Sequence, residues 1–142
     1  MFWDNSALVA ALLDEPRSVA MIDAFDADPV PVIWWGTPLE CHAAVVRAVR
    51  DKRVSREEAA EAAERLREAR AQVREVAPLE AVRTRAMRLV SSHQLRTADA
   101  LQLAASLIWC EEQPASEVFV SLDQRLRDAA RREGFTLLPA DL

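Results

Sequence analysis

Four carboxylates occupy positions from which a folded chain could bring them together. Asp4 follows the apolar run "MFW", Glu40 closes "TPLE", Asp99 sits early in "LRTADALQLAASLIW", and Asp123 follows "EVFVSL". Each place also suits a helix N-terminus, where an acid caps a free N–H or meets the positive end of the helix dipole, the latter worth roughly 0.3–1 kcal/mol. Asp4 can cap near Ser6, Glu40 can close a capping box with Thr37, and Asp123 can be a first-turn acid beside a Ser121 cap. The alternative is that the fold collects these acids into one metal site. Capping taken singly leaves one thing unexplained: each strand followed by a helix delivers an acid to the same end of the sheet.

The elements that would carry them can be read from periodicity and punctuation. "MFW", "DNS" and the pattern Ala7 to Leu13 read as strand, turn and helix, and a second helix runs from about Arg17 to Phe25. "VPVIWW" is rich in β-formers, and Pro31 makes its strand short or near an edge. In "TPLE" Thr37 is the expected N-cap and Pro38 the first helical residue. Ser55 to Ala77 reads as one long charged helix with a narrow apolar stripe. A companion from about Leu79 to Ser91 follows Pro78, so the pair is expected to form a helical hairpin beside the sheet. The helix of Asp99 comes next, then "EVFVS" as a strand, "LDQRLRDAARREG" as a helix closed by Gly134, and "FTLLP" as a last strand. Strands alternating with helices imply an α/β fold in which a parallel sheet is covered on both faces, with sites at the carboxyl ends of its strands.

Composition limits the chemistry. The 142 residues suit one domain, and 51% apolar with 29% charged residues excludes a disordered chain. No apolar run approaches a membrane span, and the N-terminal "MFWDNSALVAALLDEP" carries acids where a signal peptide would carry bases, so a cytoplasmic protein is expected. A net charge of −5 argues against a general basic nucleic-acid surface without excluding a nucleic-acid enzyme. Gly36 and Gly134, the only glycines, cannot build a Walker A loop or a dinucleotide fingerprint. Cys41 and Cys110 make no metal pattern, Cys41 and His42 diverge as neighbours on a helix, and His93 has no second histidine suitably placed. Trp34 and Trp35 point to opposite faces if both lie in a strand, one to the core and one free to touch a partner. Arg96, Arg125 and Arg127 are candidates for phosphate contacts, against the simpler reading of a solvated helix face.

The segments "DNSALVAALL", "TPLE", "LRTADALQLAAS" and "VFVSLDQRLRDAAR" occur in an order that resembles the PIN-domain family, in particular the VapC-like toxins of bacterial toxin–antitoxin pairs. The resemblance covers nearly the whole chain, and Thr97 to Ala100 and Ser121 to Asp123 are its most diagnostic parts. It implies a three-layer α/β/α domain over residues 1–142 that acts as a metal-dependent endoribonuclease. Asp4, Glu40, Asp99 and Asp123 would form its acidic, metal-binding set, with Asp4 and Asp99 as leading ligands and Ser6 and Ser121 as polar neighbours. Mg2+ or Mn2+ is the implied cofactor, because a hard cation takes oxygen ligands and can acidify an attacking water. RNA and a small antitoxin are the implied partners, no membrane is involved, and a homodimer is left open. Two other functions compete. A phosphatase or phospho-acceptor using Asp4 would want a second acid two residues on, where "DNS" has Ser6. A non-catalytic RNA- or protein-binding module would have no need of the intact acid set.

Overall fold

Residues alternate sides along every strand, and this alternation sets the architecture. The computed structural model describes residues 1–13 and 17–141; Asp14 and Glu15, two of the acids that weighed against a signal peptide, lie outside them. The strands are β1 (Phe2–Trp3), β2 (Val32–Trp34), β3 (Arg74–Val76), β4 (Val118–Val120) and β5 (Thr136–Leu138). All pair in parallel, in the order β3-β2-β1-β4-β5. Phe2, Val32, Trp34 and Phe119 face one core, whereas Trp3, Ile33 and Val120 face the other. A short parallel strand buried on both sides is apolar throughout, as "FW", "VIW" and "VFV" are.

The helices are α1 (Asn5–Leu12), α2 (Ser18–Asp26), α3 (Thr37–Arg50), α4 (Arg56–Arg70), α5 (Glu80–His93), α6 (Thr97–Trp109) and α7 (Gln124–Glu133). Side chains of α1 to α4 fill the core on one face; those of α5 to α7 fill the other. The result is a three-layer α/β/α fold. The chain winds outward from β1 through β2 to β3 with its helices on the first face. It then crosses back to β4 and β5 with its helices on the second, as right-handed crossovers require. The winding direction therefore reverses between β1 and β4. Ligands in such sheets bind outside the carboxyl ends of the strands at that reversal.

Two expectations need correction. The reading of Ser55 to Ala77 as one helix fails after Arg70, because Arg74–Val76 pairs with β2 instead. Val73 packs into one core and Val76 into the other, which is the alternation of a strand and not the stripe of a helix. The hairpin of this helix with its successor fails for the same reason, since β3 separates α4 from α5 and sends them to opposite faces. The hairpin that does form joins α3 to α4, and α5 packs on α6. The reading of Pro31 holds in its first alternative: β2 is short, at three residues, and lies inside the sheet with β3 as the edge strand, and Pro31 just before β2 contributes its carbonyl to Arg74 N at 2.8 Å.

One buried cation locks the far end of the chain to the sheet. Arg127 of α7, expected as a candidate phosphate contact, is 1% exposed. Its Nη1 donates to Ser121 O at 2.8 Å and Leu138 O at 3.2 Å, and its Nη2 to Pro139 O at 2.6 Å and Ala140 O at 3.3 Å. Both terminal nitrogens are committed to backbone carbonyls while Nε is buried without a partner, so the guanidinium does not face ligand. Arg127→Met leaves those carbonyls without their donor, at about 3 kcal/mol or more. The melting temperature is expected to fall by roughly 10 °C, and a change within about 2 °C would show that the clamp contributes nothing.

Candidate active site

Asp4 leaves β1 at the winding reversal and caps α1 from an extended conformation, φ −77° and ψ 155°. Its Oδ2 accepts from Ser6 N at 3.1 Å, Ser6 Oγ at 2.5 Å and Ser121 Oγ at 3.0 Å. Ser6 Oγ in turn lies 3.2 Å from Ser121 Oγ and accepts from Leu122 N at 2.8 Å, while Ser121 Oγ accepts from Asp123 N at 3.1 Å. The two serines thus stitch the β1–α1 junction to the β4–α7 junction. Asp4 is 1% exposed, yet its Oδ1 has no hydrogen-bond partner. A second buried aspartate shows what ordinary satisfaction looks like. Asp28 takes Val30 N on Oδ1 and Trp3 Nε1 on Oδ2, with the N-terminal ammonium 3.1 Å from Oδ2.

The other acids arrive on helix N-termini. Glu40 sits in the first turn of α3, but the expected capping box does not form: Gly36 is the N-cap and Thr37 is inside the helix. Thr37 is buried, and its hydroxyl accepts from Gln102 Nε2 at 3.0 Å, which takes it out of reach of a capping role. The same Gln102 Nε2 donates to Glu40 Oε2 at 3.3 Å. Asp99 stands in the first turn of α6, half-buried. Asp123 is itself the N-cap of α7, its Oδ1 accepting from Leu126 N at 2.9 Å, and its side chain is exposed.

Charge links the four acids in a chain. Burial raises Asp4 to about 6 against the opposing bonds from Ser6 and Ser121. Burial also raises Glu40 to about 7, with the charges of Asp4 and Asp99 adding to the effect and the bond from Gln102 opposing it. Asp99 is raised by burial and then by Asp123, while the charges of Arg96 and Arg125 pull it back down. Among the described residues no three His, Cys, Asp or Glu side chains form a ready-made ion shell. Bare carboxylates repel, and Mg2+ is commonly held by one or two carboxylates while keeping several waters, so a closed shell is not what this ion needs. The donor chemistry is compatible with such a cation: all four acids offer hard oxygens, and Asp4 Oδ1 is buried without a partner.

Gln102 is the residue that sequence reasoning missed. It lies three residues after Asp99, on the same face of α6, and is 1% exposed within an apolar run. A glutamine buried at that spacing was the available signal. The remaining candidates take structural roles. Cys41 is buried and its thiol is pushed up to about 12 by burial and the nearby Asp4 and Glu40, while His42 points to solvent. His93 Nε2 lies 2.6 Å from Glu133 Oε1 and ties α5 to α7.

These shifts fix how metal-free stability depends on pH. Asp4 and Glu40 are raised in the folded state above their ordinary values of 3.8 and 4.5, so the folded chain holds more protons than the unfolded chain between about 4 and 7. Stability of the chelated protein is expected to fall as pH rises through that window and to level off above it. Glu40→Gln removes one of the two groups and should flatten the fall. A melting series from pH 4 to 8 checks both, and identical slopes for the two proteins would show that Glu40 is not the group responsible.

Comparison with known proteins adds the family. No curated protein sequence matches the chain. Among solved structures it is similar to the crystal structure of PAE2754 from Pyrobaculum aerophilum, with a TM-score of 0.65 and 19% identity over 96% of this chain and 87% of that one. That likeness establishes the fold. The family model of the PIN domain matches residues 1–132. With its winding reversal, its buried Asp4 and its helix-borne acids, the chain belongs to the PIN-domain family, whose members are generally nucleases.

Proposed function

We propose that this protein is a metal-dependent endoribonuclease in which Asp4, Glu40, Asp99 and Asp123 form one acidic site, and that it acts as the toxin of a pair with a small antitoxin. The observation that carries the reading is Asp4: one oxygen anchored by three donors, the other buried and left open. An unsatisfied buried carboxylate oxygen is unfavourable by itself, and a cation removes the penalty. Bound Mg2+ or Mn2+ would supply positive charge for the developing phosphorane and an acidified water.

The protein's own groups have distinct tasks in this reading. Asp4, fixed by Ser6 and Ser121, and Asp99, in the first turn of α6, would hold the cation. Glu40, steered by Gln102, orients the water and takes its proton as the new bond to phosphorus forms and one ester P–O bond breaks. Asp123 keeps one oxygen on its cap and turns the other to the site. The exposed side chains of Arg96 and Arg125, within electrostatic reach of Asp99, meet the substrate's phosphates. The toxin assignment rests on the sequence resemblance to VapC-like proteins. An antitoxin would silence the site by offering Arg or Lys to the same carboxylates.

Asp99→Asn keeps shape and helix start while removing one charge. Cleavage of single-stranded RNA with Mg2+ or Mn2+ should drop at least roughly a hundredfold. The metal-free melting temperature at pH 7.5 should rise, and the stabilisation by added Mg2+ should shrink. Unchanged cleavage with slightly lower stability would reduce Asp99 to a helix-dipole acid and overturn the site.

A further inference from the structure

Folding leaves one large aromatic side chain unused at the carboxyl edge. Trp35 is 55% exposed, whereas its neighbour Trp34 is 7% and Trp3 is 0% exposed. The backbone beneath it is fixed: Trp35 N donates to Val76 O at 3.1 Å, carrying the β2–β3 ladder one step past the end of β2. Its ring meets Trp34 edge-on, with centroids 6.5 Å apart and planes at 72°. Trp34 in turn is seated against Gly36, where a Cβ would come within 2.6 Å of Trp34 Nε1. The platform is therefore built from behind, and Trp35 presents its free surface to solvent.

Its place along the edge matters more than its exposure. β1 and β2 pair Trp3 with Ile33, so Asp4 comes level with Trp34, and Trp35 lies one step further, about 5 Å across the sheet. Gly36 then caps α3, whose first turn holds Glu40. On the opposite side of Asp4, β4 leads to Asp123 and Arg125. The edge thus runs from an aromatic face, over the carboxylates, to arginine side chains. A single nucleic-acid strand has matching parts in the same order: a base to stack and phosphates to neutralise.

We propose that Trp35 is the stacking platform for an unpaired base of the RNA strand, next to the phosphate to be cut. This rests on the endoribonuclease reading and adds to it a residue that sets how the substrate lies. Every base has a π-face, so the contact tolerates sequence but requires a base freed from a duplex. A flat indole on a braced backbone loses little freedom on binding, which suits it better to this task than a long flexible side chain.

The test uses the full chain and short single-stranded RNA oligonucleotides, with Ca2+ in place of Mg2+ to separate binding from cleavage. Trp35→Ala is expected to weaken binding roughly 5- to 150-fold, the range for losing one stacked base, while Trp35→Phe retains most of it. Oligonucleotides carrying a single abasic site, moved along the strand, should show one position where the wild type loses a similar factor and Trp35→Ala loses nothing more. Such non-additivity is not produced by misfolding. Equal affinity of wild type and Trp35→Ala, or additive losses at every abasic position, overturns the proposal. So does a loss of self-association in sedimentation that accounts for the binding change, since Trp35 would then face a second copy. If the wild type cleaves RNA and Trp35 proves indifferent, only this inference falls; if the wild type neither binds nor cleaves RNA, the endoribonuclease reading falls with it.

Discussion

The half-satisfied carboxylate of Asp4 is the constraint around which the rest is arranged. β1 contributes only Phe2 and Trp3 to the sheet, yet it lies at the centre with β2 on one side and β4 on the other. Whatever follows β1 is therefore flanked by whatever follows its neighbours. Ser6 and Ser121 exploit that adjacency, binding one oxygen of Asp4 from both sides of the winding reversal. With Oδ2 fixed, Oδ1 cannot rotate to find a partner of its own. The fold holds an acid where ordinary hydrogen bonding leaves it incomplete.

Helix capping and cation binding are compatible roles for these acids. Asp4 caps α1 through Oδ2, and Asp123 caps α7 through Oδ1, each with a second oxygen to spare. A cap fixes the direction of a carboxylate more firmly than a solvated side chain could be fixed, so the structural role supplies the orientation that a site demands. Glu40 departs from this pattern in an informative way. Its capping-box partner Thr37 is turned inward to Gln102, and Gln102 holds Glu40 as well. An acid withheld from its cap and steered by a buried amide is positioned at the expense of local helix stability.

What could be read from the chain follows from how local each feature is. Strands β1, β2, β4 and β5, and the start of α7 at Asp123, announce themselves through short apolar runs and adjacent cap residues, which depend on near neighbours. The strand β3 does not: Arg74, Glu75 and Val76 follow directly on a helical charge pattern, and only pairing with Val32, Ile33 and Trp34, about forty residues earlier, makes them a strand. From that one error came the misplaced hairpin. The places of Asp4, Glu40, Asp99 and Asp123 at helix starts were legible because caps and first-turn acids depend on near neighbours, whereas Gln102 and the inward turn of Thr37 were not, because their meaning lies in a contact between α3 and α6. Arg127 was misread for a similar reason, as its carbonyl partners come from the residue after β4, the end of β5 and the two residues after β5.

The distribution of cations completes the argument. A helix N-terminus favours acids and disfavours bases, so Arg96 and Arg125 at the starts of α6 and α7 run against the dipole. Elsewhere the chain places several arginines beside acids one turn away, as in Arg65 with Glu61 and Arg131 with Asp128. Arg96 and Arg125 instead act on Asp99, offsetting part of the repulsion that burial and Asp123 impose on it. That compensation keeps a cluster of acids compatible with a folded, metal-free chain. It also leaves positive charge at the carboxyl edge of a net negative protein, close to Asp99.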